Sequence, residues 1–300
     1  MRPFFPRPFP VQRFHLRAEV TRTLELPEFS GSLLRGAFGQ ALRGTPLYPI
    51  IFEPPSPASE ATSRYASVPP PYVIEPPPVG CRRLLVGEYL DFHLILIGPA
   101  LDYIPVIAAA WASALERPLG HSQGTARLVE VTDELGTVVY DDRALPVNRE
   151  VPGLIVSPPP AGLSGVTLDF QLPLCLRHKG KNVNTRDLDA TQLLRAVVRR
   201  VVNVTNLTLG QPFEPDYGIL FQNIKTITLH TSLRHVGWER YSSRQNQKML
   251  LAGLAGQCCL NGPLADFWPF LFLGQWLHVG RETTFGLGRY RLTPHFGDTP

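Results

Sequence analysis

The sequence predicts an α+β protein built from two successive βαββαβ units. Three observations carry that reading. Strand-period and helix-period stretches alternate along 300 residues, a length that accommodates two ordinary domains. The order strand, helix, strand, helix, strand runs once before residue 148 and again after residue 166. Between the two runs lies "RALPVNREVPGLIVSPPPAGLSG", rich in proline and glycine and without a period, which reads as a linker. The expected division is 1–148, a linker at 149–165, and 166–300.

In the first unit, "VQRFHLRAEVTRTLEL" (11–26) alternates apolar and polar residues as a half-buried strand does. "PEFSGSLLRGAFGQALRG" follows as a helix, with Ser30 or Ser32 at its N-cap and Leu33, Leu34, Ala37, Phe38 and Leu42 as its apolar stripe. Residues 53–80 are crowded with proline, which argues against helix and most sheet, so a surface insertion is expected there. "EYLDFHLILIG" and "YIPVIAAAWASALERPLG" supply a second strand and helix. "TARLVEVTDELGTVVYDD" is a hairpin turning at Glu134, Leu135 and Gly136. This order approaches a ferredoxin-like unit with the proline-rich insertion inside it.

The second unit repeats the plan. "VTLDFQLPLCL" is a strand, and "LDATQLLRAVVRRVVNVT" an amphipathic helix with Arg195, Arg199 and Arg200 toward its polar side. "TITLHTSLRHVGWERY" and "QKMLLAGLAGQCCLNG" are long strands facing each other across "SSRQN". "ADFWPFLFLGQWL" is a short buried helix that admits Pro269 in its first turn, and "RYRL" opens a last strand.

Composition narrows the function. Hydrophobic residues at 44% and charged residues at 18% describe a chain with a real core. The formal charge is +4, and of the 29 basic residues only Lys179, Lys181, Lys225 and Lys248 are lysines. Arginine suits bidentate phosphate contacts and stacking on bases. Cys81, Cys175, Cys258 and Cys259 form no CxxC pair, so neither a zinc frame nor a disulfide scaffold is expected, and a reducing cytoplasm fits. Proline in "MRPFFPRPFP" rules out a signal helix, and no apolar run reaches membrane-spanning length. A phosphate loop GxxxxGK[ST], an HExxH and a GxSxG are all missing.

Basic and aromatic residues remain, in three clusters. "LRHKGKNVNTR" holds Arg177, His178, Lys179, Lys181 and Arg186 between a strand and a helix. "SLRHVGWERYSSRQNQK" holds Arg234, Trp238, Arg240, Tyr241, Arg244 and Lys248 at a hairpin tip, a mixture suited to phosphate contact and base stacking. "QWLHVGRETTFGLGRYRL" places His278, Gly280, Arg281, Gly286, Gly288 and Arg289 together. Glycines there allow close approach to the main chain, and successive N–H groups in such a loop can cradle an anion. That reading requires an open groove at Gly280 to Gly288.

The tail "HVGRETTFGLG" resembles the G-h-G-x5-G-h-G glycine-rich loop of the RAMP superfamily, with His278 where the first glycine would stand. "WERYSSRQNQKMLLAG" and "SGSLLRGAFG" are similar to stretches of the sixth CRISPR-associated protein family, and the resemblance runs in order along nearly the whole chain. It implies two tandem ferredoxin-like domains, which the repeat of elements gives independently. It also implies a metal-independent endoribonuclease without a cofactor. Such an enzyme cleaves CRISPR repeat RNA in precursor crRNA, leaving a 2′,3′-cyclic phosphate and a 5′-hydroxyl. Repeat RNA or crRNA, and other Cas proteins of an effector complex, would be its partners, and no membrane. The alternative is a non-catalytic RAMP subunit that holds crRNA in an interference complex.

The reaction asks for a base, an acid and a cation. Family members carry a histidine on or near the first helix, where this chain has Gln40. The expected catalytic residues are therefore His278 first, then His178, with Tyr241 and Arg35 in support. The expected RNA contacts are Arg177, Lys179 and Lys181; Arg234, Arg240, Arg244 and Lys248; and Gly280, Arg281, Gly286 and Gly288.

Overall fold

Two antiparallel sheets carry the alternating pattern of the chain. The computed structural model describes residues 8–55, 68–142, 152–178, 180–242 and 247–297, with backbone alone for 239–242 and 247–250. The strands of the first half are β1 (Val11–Arg22), β2 (Leu24–Leu26), β3 (Tyr72–Glu75), β4 (Arg82–Leu84), β5 (Tyr89–Ile97), β6 (Thr125–Asp133) and β7 (Val138–Asp141). Its helices are α1 (Gly31–Leu42), α2 (Leu47–Phe52) and α3 (Ile104–Glu116). The second half contains β8 (Leu163–Leu174), β9 (Arg177–His178), β10 (Lys181–Asn182), β11 (Thr228–Ser242), β12 (Gln247–Asn261) and β13 (Tyr290–Phe296). Its helices are α4 (Ala190–Asn203), α5 (Tyr217–Phe221) and α6 (Trp268–Leu277).

The first sheet runs β3-β5-β1-β6-β7 and the second β11-β12-β8-β13. Counting only the strands around the two main helices of each half, both orders reduce to 2-3-1-4, the ferredoxin-like arrangement. A short pair, β2 with β4, and the small β9–β10 hairpin lie outside the main sheets.

Period-2 patterning decides which face of β1 is covered by what. Phe14, Leu16, Ala18 and Val20 join Leu34, Phe38, Leu42 and Trp111 in one core. Phe38 stacks on Trp111 at 4.7 Å with the rings 5° apart, and both are fully buried. The opposite face supplies Val11, which with Val73, Ile95 and Ile97 enters the core of the second half beside Val197, Val201, Phe270 and Leu277. Helices α4 and α6 thus share a core with both sheets, and the two halves are joined by apolar burial as well as by the linker.

Local chemistry explains most element ends. Asp189 caps α4, its Oδ1 accepting from Gln192 N at 2.7 Å. Pro269 sits in the first turn of α6, where its missing N–H costs nothing. Ser30 does precede α1, but its side chain makes no capping bond. The turn at Glu134 to Gly136 is closed by Gly136 N donating to Asp133 O at 3.0 Å.

One expectation requires correction. The stretch 53–80 is not wholly a surface insertion, because Tyr72–Glu75 forms β3, a fully buried strand paired with β5. Proline tolerates this because it flanks the strand, at Pro71 and Pro76, and β3 is an edge strand. Residues 56–67 and 143–151 lie outside the described residues.

Candidate functional site at the junction of the halves

Among the described residues, a cluster of buried and half-buried charges stands where the two halves meet. Glu75, from β3, is 0% exposed. His278 Nε2 donates to its Oε1 at 3.0 Å, and Arg289 Nε lies 3.3 Å from the same oxygen. Arg13 Nη2 donates to Oε1 at 3.1 Å, and Arg13 Nε lies 3.1 Å from Oε2. Arg13 also reaches Glu134 at 3.2 Å and sits 5.6 Å from the centre of the Trp276 ring. Trp276 Nε1 donates to Glu134 in turn. Arg13, Glu75 and Glu134 belong to the first half; Trp276, His278 and Arg289 belong to the second. The cluster is an ionic bond between the halves.

Burial alone would push the Glu75 carboxyl up. The His278 hydrogen bond, then the charges of His278, Arg13 and Arg289, overcome it and hold the group at about 2. Burial pushes the His278 imidazole down, opposed by Glu75. Because a carboxylate only accepts, Nε2 carries the proton.

His278 is 0% exposed, and its Nδ1 lies 3.3 Å from Leu287 O. A fully buried ring held by Glu75 reaches no substrate, which removes it as the expected base. Its backbone, at φ 55° and ψ 163°, occupies a region nearly reserved for glycine, which costs about 1–3 kcal/mol. Replacing His278 by alanine loses the bond and keeps the strain, whereas glycine loses the bond and releases the strain. The glycine variant is expected to be more stable than the alanine variant by about 1 kcal/mol. Paired denaturant melts check this; an equal or reversed order shows that the strain is not borne at this residue.

The glycine-rich segment that follows is packed against the chain itself. Gly286 N donates to Thr283 O and Gly288 N to Pro173 O, both at 2.8 Å, while Arg281 N donates to Cys175 O at 2.9 Å. Thr283 through Gly288 are buried. The expected amide cradle is therefore corrected: Gly286 and Gly288 offer no free N–H to an anion, and no open groove runs along them. Gly286 (φ +96°) is glycine because a Cβ would stand 2.7 Å from Ile74 O. Gly280 backs onto Cys175, and Arg281 alone in this loop stays exposed.

Helix α1 sits on this loop. A Cβ on Gly31 would collide with Phe285 O, so only glycine lets the helix approach. Phe29, just before α1, stacks on Trp238 of β11 at 5.0 Å. Arg35 lies between the Phe285 and Phe52 rings, 4.9 and 5.3 Å from their centres. Beside it is the Tyr72 hydroxyl, pushed up to about 12 by burial against the opposing charge of Arg35, with Thr284 adjacent. Arg35 and Thr284 are the polar neighbours of the buried Tyr72 hydroxyl, outside ideal hydrogen-bond geometry, and Arg35 Nε is buried beside it.

The other expected residues scatter around this point. Arg177, with His178, is exposed on β9, and Lys181 on β10; Arg177 and Arg281 both act on the Cys175 thiol. Burial nevertheless pushes that thiol up, so it is a poor nucleophile. Arg234 is exposed on β11, an edge strand. Lys179 and Arg244 lie outside the described residues, as do the side chains of Arg240, Tyr241 and Lys248. Gln40 is exposed near the end of α1. The sequence reading missed Glu75, Tyr72 and Arg13; the one available signal was a lone acid in the apolar run "YVIEPPP".

Two tandem ferredoxin-like domains, tied together by this charged cluster, are the class of protein the structure defines. Residues 168–290 match the family described as CRISPR-associated endoribonuclease Cas6, and residues 9–151 match a family described as an N-terminal domain. The Cas6 match thus runs from within β8 to the start of β13, the sheet and helices of the second half. The fold of the chain is similar to a partial Cas6-RT-Cas1–Cas2 complex (TM-score 0.63, 15% identity, 96% of this chain and 46% of that one). It is also similar to a Cas6 product complex (0.57, 16%, 95% and 99%). Thermus thermophilus Cas6 has the same fold (0.51, 14%, 96% and 99%). The chain thus spans less than half the length of the first of these chains. No curated protein matches the sequence. Among the described residues, no helix is long and apolar enough to cross a membrane.

Proposed function

We propose that this protein is an endoribonuclease that processes precursor crRNA, cutting CRISPR repeat RNA without a metal. The 2′-oxygen attacks the adjacent phosphorus as its proton leaves to a base. The bond to the 5′-oxygen breaks as that oxygen takes a proton, giving a 2′,3′-cyclic phosphate and a 5′-hydroxyl. Arg35 is the group proposed to meet the phosphorane, because a guanidinium held by two aromatic rings presents a fixed cation to developing charge. Tyr72, fully buried and held protonated beside it, positions the Arg35 guanidinium rather than touching RNA. His178 and Tyr241 are the proposed proton carriers, with Arg177, Arg234 and Arg281 on the RNA backbone. The Cas6 family match over residues 168–290 supports this reading, and the Arg35 guanidinium fixed against Phe52 and Phe285 is the observation that carries it to a site. Other Cas proteins are proposed partners, since a chain of similar fold occurs in a Cas6-RT-Cas1–Cas2 complex.

A second reading, a subunit that holds crRNA without cutting it, is favoured by Gln40 on α1 and by the burial of His278. Incubation with end-labelled repeat RNA in excess EDTA separates the two. The enzyme gives one cut and a cyclic-phosphate end; binding with intact RNA selects the subunit. Affinity is expected to fall steeply between 50 and 200 mM salt, by about 10-fold or more, since phosphate contacts dominate.

A further inference from the structure

Between the β9–β10 hairpin and the first turns of α4 lies a cavity of about 460 Å³ whose lining includes neither Arg35 nor Tyr72. Its floor is apolar, and its rim carries Arg177, His178, Arg195 and Arg199. Arg195 and Arg199 are four residues apart on α4, so their guanidinium groups share one face. The Arg195 guanidinium is steadied 5.4 Å from the centre of the Phe221 ring. Among the described residues, Arg177, Arg195 and Arg199 have no carboxylate partner within ion-pair distance. The one acid in the wall, Asp189, is committed to the helix cap.

Also in the wall is Gln192, whose Oε1 is buried without a hydrogen-bond partner. A buried acceptor without a donor requires an explanation, and a hydroxyl or amino group supplies one. Three unpaired cations beside one unfilled acceptor match the two ends of a nucleotide.

We propose that this cavity binds a nucleotide unit. Its phosphate lies between Arg177, Arg195 and Arg199, and a sugar hydroxyl or base N–H donates to Gln192 Oε1. The guanidinium fork fits phosphate oxygens in pairs, and the volume is that of a small-ligand site. The same chemistry is offered by a free nucleotide and by one unit of a polynucleotide.

The test uses the full chain and fluorescence anisotropy of a labelled single-stranded oligouridylate, with AMP as competitor. The Arg195→Ala/Arg199→Ala variant is expected to bind at least about 10-fold more weakly, with a salt slope shallower by about two. Gln192→Leu is expected to weaken binding by a factor of about 5 without changing that slope. Competition by AMP identifies a free-nucleotide site; competition by polymer alone identifies a backbone site; either supports the proposal. Unchanged affinity and slope in the double variant overturn it. Both arginines are exposed helix residues, so a melting temperature equal to that of the parent excludes misfolding, and Arg177→Ala repeats the test from β9. Since the readout is binding, loss of cutting on mutating Arg35 bears on the catalytic proposal alone.

Discussion

Arg35→Ala is expected to slow single-turnover cutting of repeat RNA by about 100-fold, while RNA affinity falls less than 10-fold. The asymmetry follows from position. Arg35 is one cation beside several exposed ones, Arg177, Arg234 and Arg281, that contact RNA in the proposed function. It alone combines aromatic clamping by Phe52 and Phe285 with a buried Nε at the meeting of the halves. A group fixed there acts where charge develops rather than where RNA is first held. Arg35→Lys is expected to recover part of the rate, since the charge returns without the planar fork. Equal losses in rate and affinity assign Arg35 to ground-state binding. Unchanged cutting removes it from the mechanism.

The second large effect is on stability. Glu75→Gln is expected to destabilise the protein by about 3 kcal/mol, because removing one partner strands Arg13, His278 and Arg289 around a neutral amide. Arg13 and Arg289 keep 21% and 28% exposure, and Arg13 keeps Glu134, so water and a second acid soften the loss. Linkage gives the same size and fixes the sign. A carboxyl held at about 2, against an ordinary value near 4.5, binds its proton later in the folded state than in the unfolded one. Its contribution, roughly 3 kcal/mol, is present in full above about 4.5 and is lost as pH falls toward 2. Denaturant melts from pH 7 to pH 2.5 should therefore show a steep acid limb in the parent and a flatter one in Glu75→Gln. Parallel limbs show that Glu75 is not the group that titrates.

The two proposals meet in β3. Tyr72 and Glu75 are the first and last residues of one four-residue strand, so Tyr72 stands beside Arg35 while Glu75 ties the halves together. Loosening the ionic bond is expected to disturb the catalytic junction as well, and Glu75→Gln should be assayed for cutting well below its melting temperature.

Sequence alone determined what depends on neighbours along the chain. Apolar period placed β1, α1, α3, α4 and the long β11–β12 pair, and Pro269 fitted the first turn of α6. The repetition of that order was enough for two ferredoxin-like units, because the fold needs only the sequence of elements and their apolar faces. The site was less legible. Arg35 stood out as a cation on the first helix, but His278 was read as a free base because its setting, 0% exposed against a carboxylate 203 positions away, leaves no mark nearby. The glycines of residues 280–288 announced close approach correctly, yet only the tertiary structure showed that what approaches is the chain's own backbone at Cys175, Ile74 and Val279. Strand β3 was hidden by its flanking prolines, since four buried residues at a sheet edge gain their stability from cross-strand partners rather than from local preference. Long-range pairing, burial and charge compensation are properties of the folded assembly, and those three decided which groups are structural and which are left open for chemistry.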